Sequence, residues 1–163
     1  LHPGSRGSAK NWPPQRYAEL AGLLLRECPG LKILLTGSPQ ELPLLEEVNA
    51  ACANKLFVLR QRLKLRELMA VIGKARFLAA NSTGPLHLAV ALGVPTVSFF
   101  PPIKGCLAQR WGPYGEGHAV LQPQLLSCDK CLGEQCRHFN CMESISAEQA
   151  LEAASKTAPE LFA

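Results

Sequence analysis

In residues 79–96, AANSTGPLHLAVALGVPT, an apolar run breaks into Asn-Ser-Thr-Gly-Pro and then resumes. Before the break, residues 77–80 read as a short strand, which a looser reading starts at Lys74. After it, Thr96 to Phe100 read as another strand, and Pro85 to Leu92 between them read as a helix. Ser82 or Thr83 suits the N-cap, where a side-chain oxygen accepts an orphan backbone N–H. Pro85 suits the first helical position, which needs no donor. Gly93 and Pro95 end the helix. Gly84 lets backbone approach a ligand closely. A helix start with free N–H groups among Ser and Thr is an anion site, and His87 on its first turn adds a donor. An ordinary capped helix explains the same residues equally simply.

Outward from this stretch, strand and helix alternate. Helices are expected at Gln15–Arg26, from about Glu41 to Ala53, at Leu65–Gly73 and at Ser146–Thr157, the last capped by Ser146. Strands are expected at Lys32–Thr36, Leu56–Leu59 and Ala119–Leu121, and Leu1 reads as the tail of one more. This pattern predicts an α/β fold, a Rossmann-like parallel sheet with helices on both faces. Ligands of such sheets bind beyond the C-terminal strand ends, where strand order reverses. With the Rossmann order, the loop at Pro3–Lys10 and the loop at Asn81–Pro85 meet at that point. The first loop is rich in Gly and Ser, with cations at Arg6 and Lys10, yet it matches neither GxxxxGK[ST] nor GxGxxG. Glu41 reads either as a first-turn acid favoured by the helix dipole or as an acceptor for ribose hydroxyls.

Composition sets bounds. The chain has 163 residues and a net charge of +4, which fits one domain with a real core. No basic run interleaved with aromatics favours nucleic acid, and no apolar run reaches membrane-spanning length. Leu1 in place of Met suggests a piece excised from a longer protein. Cys128, Cys131, Cys136 and Cys141 form a Cys-rich segment at 128–141. Their spacing admits a zinc site, disulfides or free thiols; Cys28, Cys52 and Cys106 read as ordinary small residues.

The stretches LHPGSRGSAKNWP, TGSPQE, ANSTGPLHLAVALGVPTVSFF and CMESIS together resemble glycosyltransferase family 9, the ADP-heptose:lipopolysaccharide heptosyltransferases. The resemblance covers nearly the whole chain and only the C-terminal half of that family's two-domain GT-B architecture. It implies that residues 1–163 are the donor nucleotide-sugar binding domain of an inverting glycosyltransferase. By the same resemblance, Gly4, Ser5 and Lys10 serve the donor phosphates and Glu41 the ribose. Thr83 and Gly84 hold the pyrophosphate at the helix start, with His87 nearby, and Ser82 beside them belongs to the same substrate-binding set. Many members carry Asp where this chain has Ser82, and FGPT where it has Phe100-Pro101-Pro102-Ile103. The implied partners are an ADP-heptose-like donor and a lipopolysaccharide-core acceptor held by the missing domain, which also supplies the catalytic base. No metal or cofactor is implied. The implied location is the cytoplasm, at the inner membrane surface. Competing readings are an epimerase half-domain on the same plan and a stand-alone nucleotide-binding module.

Overall fold

The computed structural model describes residues 1–163. Five parallel strands are β1 (Leu34–Leu35), β2 (Phe57–Val58), β3 (Leu78–Asn81), β4 (Thr96–Phe99) and β5 (His118–Leu121). β1 pairs with β2, and β3–β4–β5 form a separate ladder. Leu1 and His2 join the two ladders. The Leu1 amine donates to Leu34 O at 2.7 Å and Thr36 N to Leu1 O at 3.0 Å, while on the other side His2 N donates to Ala79 O at 2.9 Å. Taken in chain order, the strands therefore lie 3-2-1-4-5-6, the Rossmann order, and the reversal falls between His2 and β3.

Helices α1 (Pro14–Glu27), α2 (Leu42–Ala51) and α6 (Ala147–Thr157) cover one face. Helices α3 (Leu65–Gly73) and α4 (Gly84–Ala91) cover the other, and a single turn, α5 (Ala108–Trp111), lies between β4 and β5. Two cores follow. The larger holds Trp12, Tyr17, Leu20, Leu24, Leu35 and Phe99; the smaller holds Ile72, Leu78, Ala80, Leu86 and Phe100. Neighbouring residues of β3 go to opposite cores, the two-residue period of a sheet buried on both faces.

The expected helices are present with small shifts. α3 matches to the residue, and Gly93 ends α4 at φ +70°. Strands are shorter than the apolar runs suggest: Lys32–Thr36 yields a ladder only at Leu34–Leu35, because β2 offers two residues to pair with. Lys74 is the C-cap of α3, so the next strand begins at Leu78.

Candidate functional site

Beyond the C-terminal strand ends, three loops meet at the reversal. Trp12 closes the first loop and fixes its far end in the core. Its ring is fully buried and stacks on Phe99 at 3.9 Å between centroids, and its Nε1 donates to Ile145 O at 2.9 Å. Asn81, fully buried at the end of β3, clamps that loop to the sheet. Its Nδ2 donates to Pro3 O at 2.6 Å, and its Oδ1 accepts Trp12 N at 2.8 Å. The sequence reading passed over Asn81; the available signal was a polar side chain ending the apolar run FLAA. Ser8 Oγ donates to Ser5 O at 2.8 Å and approaches Ser82 O at 3.4 Å, so the two Ser-rich loops touch.

Glu41 links the second loop to the first. Its Oε1 accepts Arg6 N at 2.9 Å, and its Oε2 accepts Ser38 N and Ser38 Oγ, both at 2.8 Å. A Cβ placed on Gly4 would overlap this carboxylate. Glycine at position 4 is thus required by Glu41, a close approach inside the protein itself. Partial burial raises the Glu41 pKa, but the Ser38 and Arg6 hydrogen bonds outweigh it, and the carboxyl titrates below its ordinary range. Glu41 also behaves as the first-turn acid of the sequence reading, sitting in the short 3-10 turn at Pro39–Glu41 that leads into α2. Three accepted bonds leave lone-pair capacity on Oε1 for one further donor.

Behind Glu41, His2 is buried and its Nδ1 lies 2.9 Å from Thr36 Oγ1. Burial pulls its pKa down to about 4, against the Glu41 carboxylate, which pulls it up; the imidazole is neutral at pH 7.

The other predicted residues fall around this crevice in different ways. Ser5 is buried and its hydroxyl donates to Ala9 O at 3.0 Å, so its proton is already used to close the loop. Arg6 and Gly7 turn the loop at φ +51° and +78°. Lys10 Nζ sits 5.2 Å from the centre of the Phe139 ring, a cation–π contact that the sequence did not reveal. Thr83 is the N-cap of α4 in extended backbone, φ −156° and ψ 164°, yet its side chain accepts no capping bond. The expected side-chain cap is therefore absent. Gly84 and His87 are exposed, and a Cβ on Gly84 would meet nothing within 4 Å. An uncapped start with Pro85 in its first turn leaves N–H groups facing open space, the condition for holding an anion.

The Cys-rich segment borders the same region. Cys128 N donates to Pro102 O at 2.7 Å and Lys104 N to Cys128 O at 2.8 Å, reinforced by a Lys104–Asp129 ion pair at 2.7 Å. All seven cysteines are free thiols, and no three His, Cys, Asp or Glu side chains stand where they could hold a metal ion. Burial raises the Cys141 pKa, while Lys10 pulls it down. No helix is long and apolar enough to cross a membrane.

Known proteins share this fold. The model of glycosyltransferase family 9 (heptosyltransferase) matches residues 1–141. A putative glycosyltransferase of Haemophilus influenzae is 29% identical over 146 residues, covering 82% of this chain and 42% of the relative. Lipopolysaccharide heptosyltransferase 1 of Pseudomonas aeruginosa is 32% identical over 139 residues, covering 85% of this chain and 37% of the relative. The structure of E. coli heptosyltransferase WaaC with ADP superposes with a TM-score of 0.74 at 23% identity, over 96% of this chain and 42% of that one. This chain thus spans less than half the length of these relatives. With the strand order and crevice described above, the match over residues 1–141 places the chain in glycosyltransferase family 9, the heptosyltransferase family.

Proposed function

We propose that this chain is the donor half of an inverting glycosyltransferase and binds a nucleotide-diphosphate sugar of the ADP-heptose class. The observation that carries the reading is the meeting of the Gly4–Lys10 loop with the uncapped start of α4 at the strand-order reversal. In this reading the diphosphate lies on the Thr83–Gly84 amides, with His87 and Lys10 as side-chain donors. The ribose takes the remaining capacity of Glu41. The relative solved with ADP, and a structure of the same E. coli enzyme with ADP-2-deoxy-2-fluoro heptose, favour an adenine nucleotide.

The chemistry follows from charge. The acceptor hydroxyl oxygen attacks the anomeric carbon from the face opposite the diphosphate. The C–O bond to phosphate breaks, the electron pair leaves on the nucleoside diphosphate, and the acceptor proton passes to a base. Negative charge grows on the leaving phosphate, where a helix start and a lysine stabilise it best. The base and the acceptor, a lipopolysaccharide core in this reading, belong to a second domain outside these 163 residues. The setting that suits such an acceptor is the cytoplasmic face of the inner membrane.

The test is calorimetric titration of the chain with ADP, UDP, GDP and adenosine. Lys10→Ala weakens ADP binding by about ten- to hundredfold, the worth of one charge-assisted phosphate contact, and leaves adenosine nearly unchanged. Equal weakening of both ligands, or no binding of any diphosphate, would overturn the reading. With labelled ADP-heptose and a core acceptor, the chain alone shows no turnover above background, because half a cleft cannot hold two reactants together.

A further inference from the structure

Residues 60–66, RQRLKLR, hold four cations and no acid, while the other 13 Lys and Arg balance the 13 Asp and Glu of the chain. The whole net charge of +4 therefore resides in seven residues that the crevice does not use. They form the loop that leaves the C-terminal end of β2, at the edge of the sheet, and the first residues of α3. All four cations are exposed. Arg60 pairs with Glu46 at 2.8 Å, whereas Arg62, Lys64 and Arg66 have no acidic partner. The next acid along the chain, Glu67, accepts the Lys64 amide on Oε2 at 2.6 Å. Helix formation does not call for this charge. Lys64 is the N-cap of α3 and Arg66 lies in its first turn, where cations oppose the helix dipole. Apolar side chains accompany the cations into solvent. Leu65, the first residue of α3, is 64% exposed, and Phe57 of β2 is 56% exposed. Leu56 and Val58 pack on the larger core, so Phe57 between them points to the face that carries α3.

We propose that the Arg60–Arg66 segment docks on an anionic lipid surface, with Arg62, Lys64 and Arg66 at the headgroups and Leu65 in the apolar boundary beneath them. Charge sets the class of partner, because a basic loop without acidic partners is drawn to a negatively charged surface. The leucines choose among such surfaces. A nucleic-acid strand is held by cations together with aromatic rings that stack on its bases. Here the residues between the cations are Gln61, Leu63 and Leu65. Exposed leucine among cations is the composition of a segment that lies at the boundary of headgroups and acyl chains. One inserted side chain gives marginal attachment alone, and the cations supply the second attraction that reversible docking needs. The segment shares the C-terminal end of the sheet with the crevice, two strand spacings or about 10 Å from the reversal. In the glycosyltransferase reading, docking there holds the crevice near the surface that presents a lipid-linked acceptor. The docking itself does not depend on that reading.

The test is co-sedimentation of the chain with vesicles of phosphatidylcholine, either pure or with about one-third phosphatidylglycerol. Binding is expected to the anionic vesicles alone, and to fall steeply between about 0.05 and 0.5 M salt as the charges are screened. The variant Arg62→Gln/Lys64→Gln/Arg66→Gln is expected to partition about a hundredfold more weakly, about fivefold for each cation. Leu65→Ser keeps the charge and is expected to lose about five- to tenfold. Arg26→Gln/Lys130→Gln/Lys156→Gln removes the same charge from exposed positions elsewhere and is expected to stay within about twofold of the unaltered chain. Every substituted residue is exposed, so each variant is expected to keep the circular dichroism of the folded chain. Absence of binding to the anionic vesicles, equal losses in the two triple variants, or full binding by Leu65→Ser would overturn the proposal. An RNA of about 20 nucleotides that binds more tightly than the vesicles and is indifferent to Leu65→Ser would assign the patch to nucleic acid and overturn it too. The vesicles are read without nucleotide, so failure of docking and failure of the ADP titration are separate results.

Discussion

The two ends of the sheet are built differently. Beyond the C-terminal strand ends, Asn81, Glu41 and Ser8 tie three loops together with hydrogen bonds that span 35 to 78 residues of sequence. At the N-terminal ends, Lys32 and Phe77 present free carbonyls to a cavity with apolar walls. One end is polar and already assembled around its own loops. The other is lined by apolar side chains. A buried polar clamp loses much when one member is removed, because its partners are stranded. A wall already beside a void loses little. The two ends should therefore answer mutation unequally.

The largest effect is expected at Asn81. Asn81→Ala strands the Trp12 amide and the Pro3 carbonyl, both inside the protein, and should cost about 2–4 kcal/mol in urea denaturation. Val71→Ala, on the cavity wall, should cost less than about 1 kcal/mol, since the space it opens adjoins space already empty. Equal costs would erase the distinction between the ends.

Next comes acid sensitivity at the crevice. His2 has a folded pKa of about 4 against an ordinary value of 6.5. Below pH 6.5 the unfolded chain binds a proton that the folded chain refuses, so stability falls with pH until about 4. At pH 5 the loss is about 2 kcal/mol relative to pH 7. Glu41, with its lowered pKa, acts in the same direction but only as pH falls below its unfolded value of 4.5. Denaturant midpoints across pH 7 to 5 carry His2 together with the Leu1 amine, whose burial lowers its pKa from 8.0 to about 5, and His2→Gln should remove the His2 share of that slope while leaving the region below 4.5 steep. A slope unchanged by His2→Gln would show that another group carries it.

These residues also show what a sequence can disclose. The parallel sheet was legible from the strict alternation of strand and helix, whereas its strand order was an assumption until the pairings of Leu1 and His2 were seen. The loops flanking the reversal were legible because Gly, Ser and Pro mark turns and caps locally. Asn81 was not, since one asparagine after an apolar strand looks like any strand end until its partners 69 and 78 residues away are known. Glu41 was legible as a first-turn acid, but its contact with Gly4 depends on two loops meeting in space.

A smaller effect tests the Glu41 contact. Gly4→Ala pushes a methyl group into a carboxylate held by Ser38 and Arg6, and should cost about 1–3 kcal/mol. Glu41→Ala on the same background should recover part of that loss, because the obstruction is gone. A double variant as unstable as the sum of the singles would mean that Gly4 is constrained by something else.

The smallest effect lies where the crevice meets the Cys-rich segment. Lys10 has one partner in the free chain, the Phe139 ring at 5.2 Å. In the nucleotide reading it has a second, the diphosphate, and its single ammonium cannot serve both at full strength. An exposed cation–π contact is worth about 0.5–1 kcal/mol. Phe139 is about half exposed, so its removal should disturb little else. Phe139→Leu keeps an apolar side chain and deletes the ring face, releasing Lys10 from a competing contact. ADP should then bind about two- to fivefold tighter, while adenosine, which has no phosphate for Lys10, binds as before. Weaker ADP binding would mean that Phe139 itself touches the nucleotide. Tightening of both ligands equally would place the effect in the loop rather than in the lysine. Only a gain confined to the diphosphate supports a lysine that leaves the ring for the phosphate.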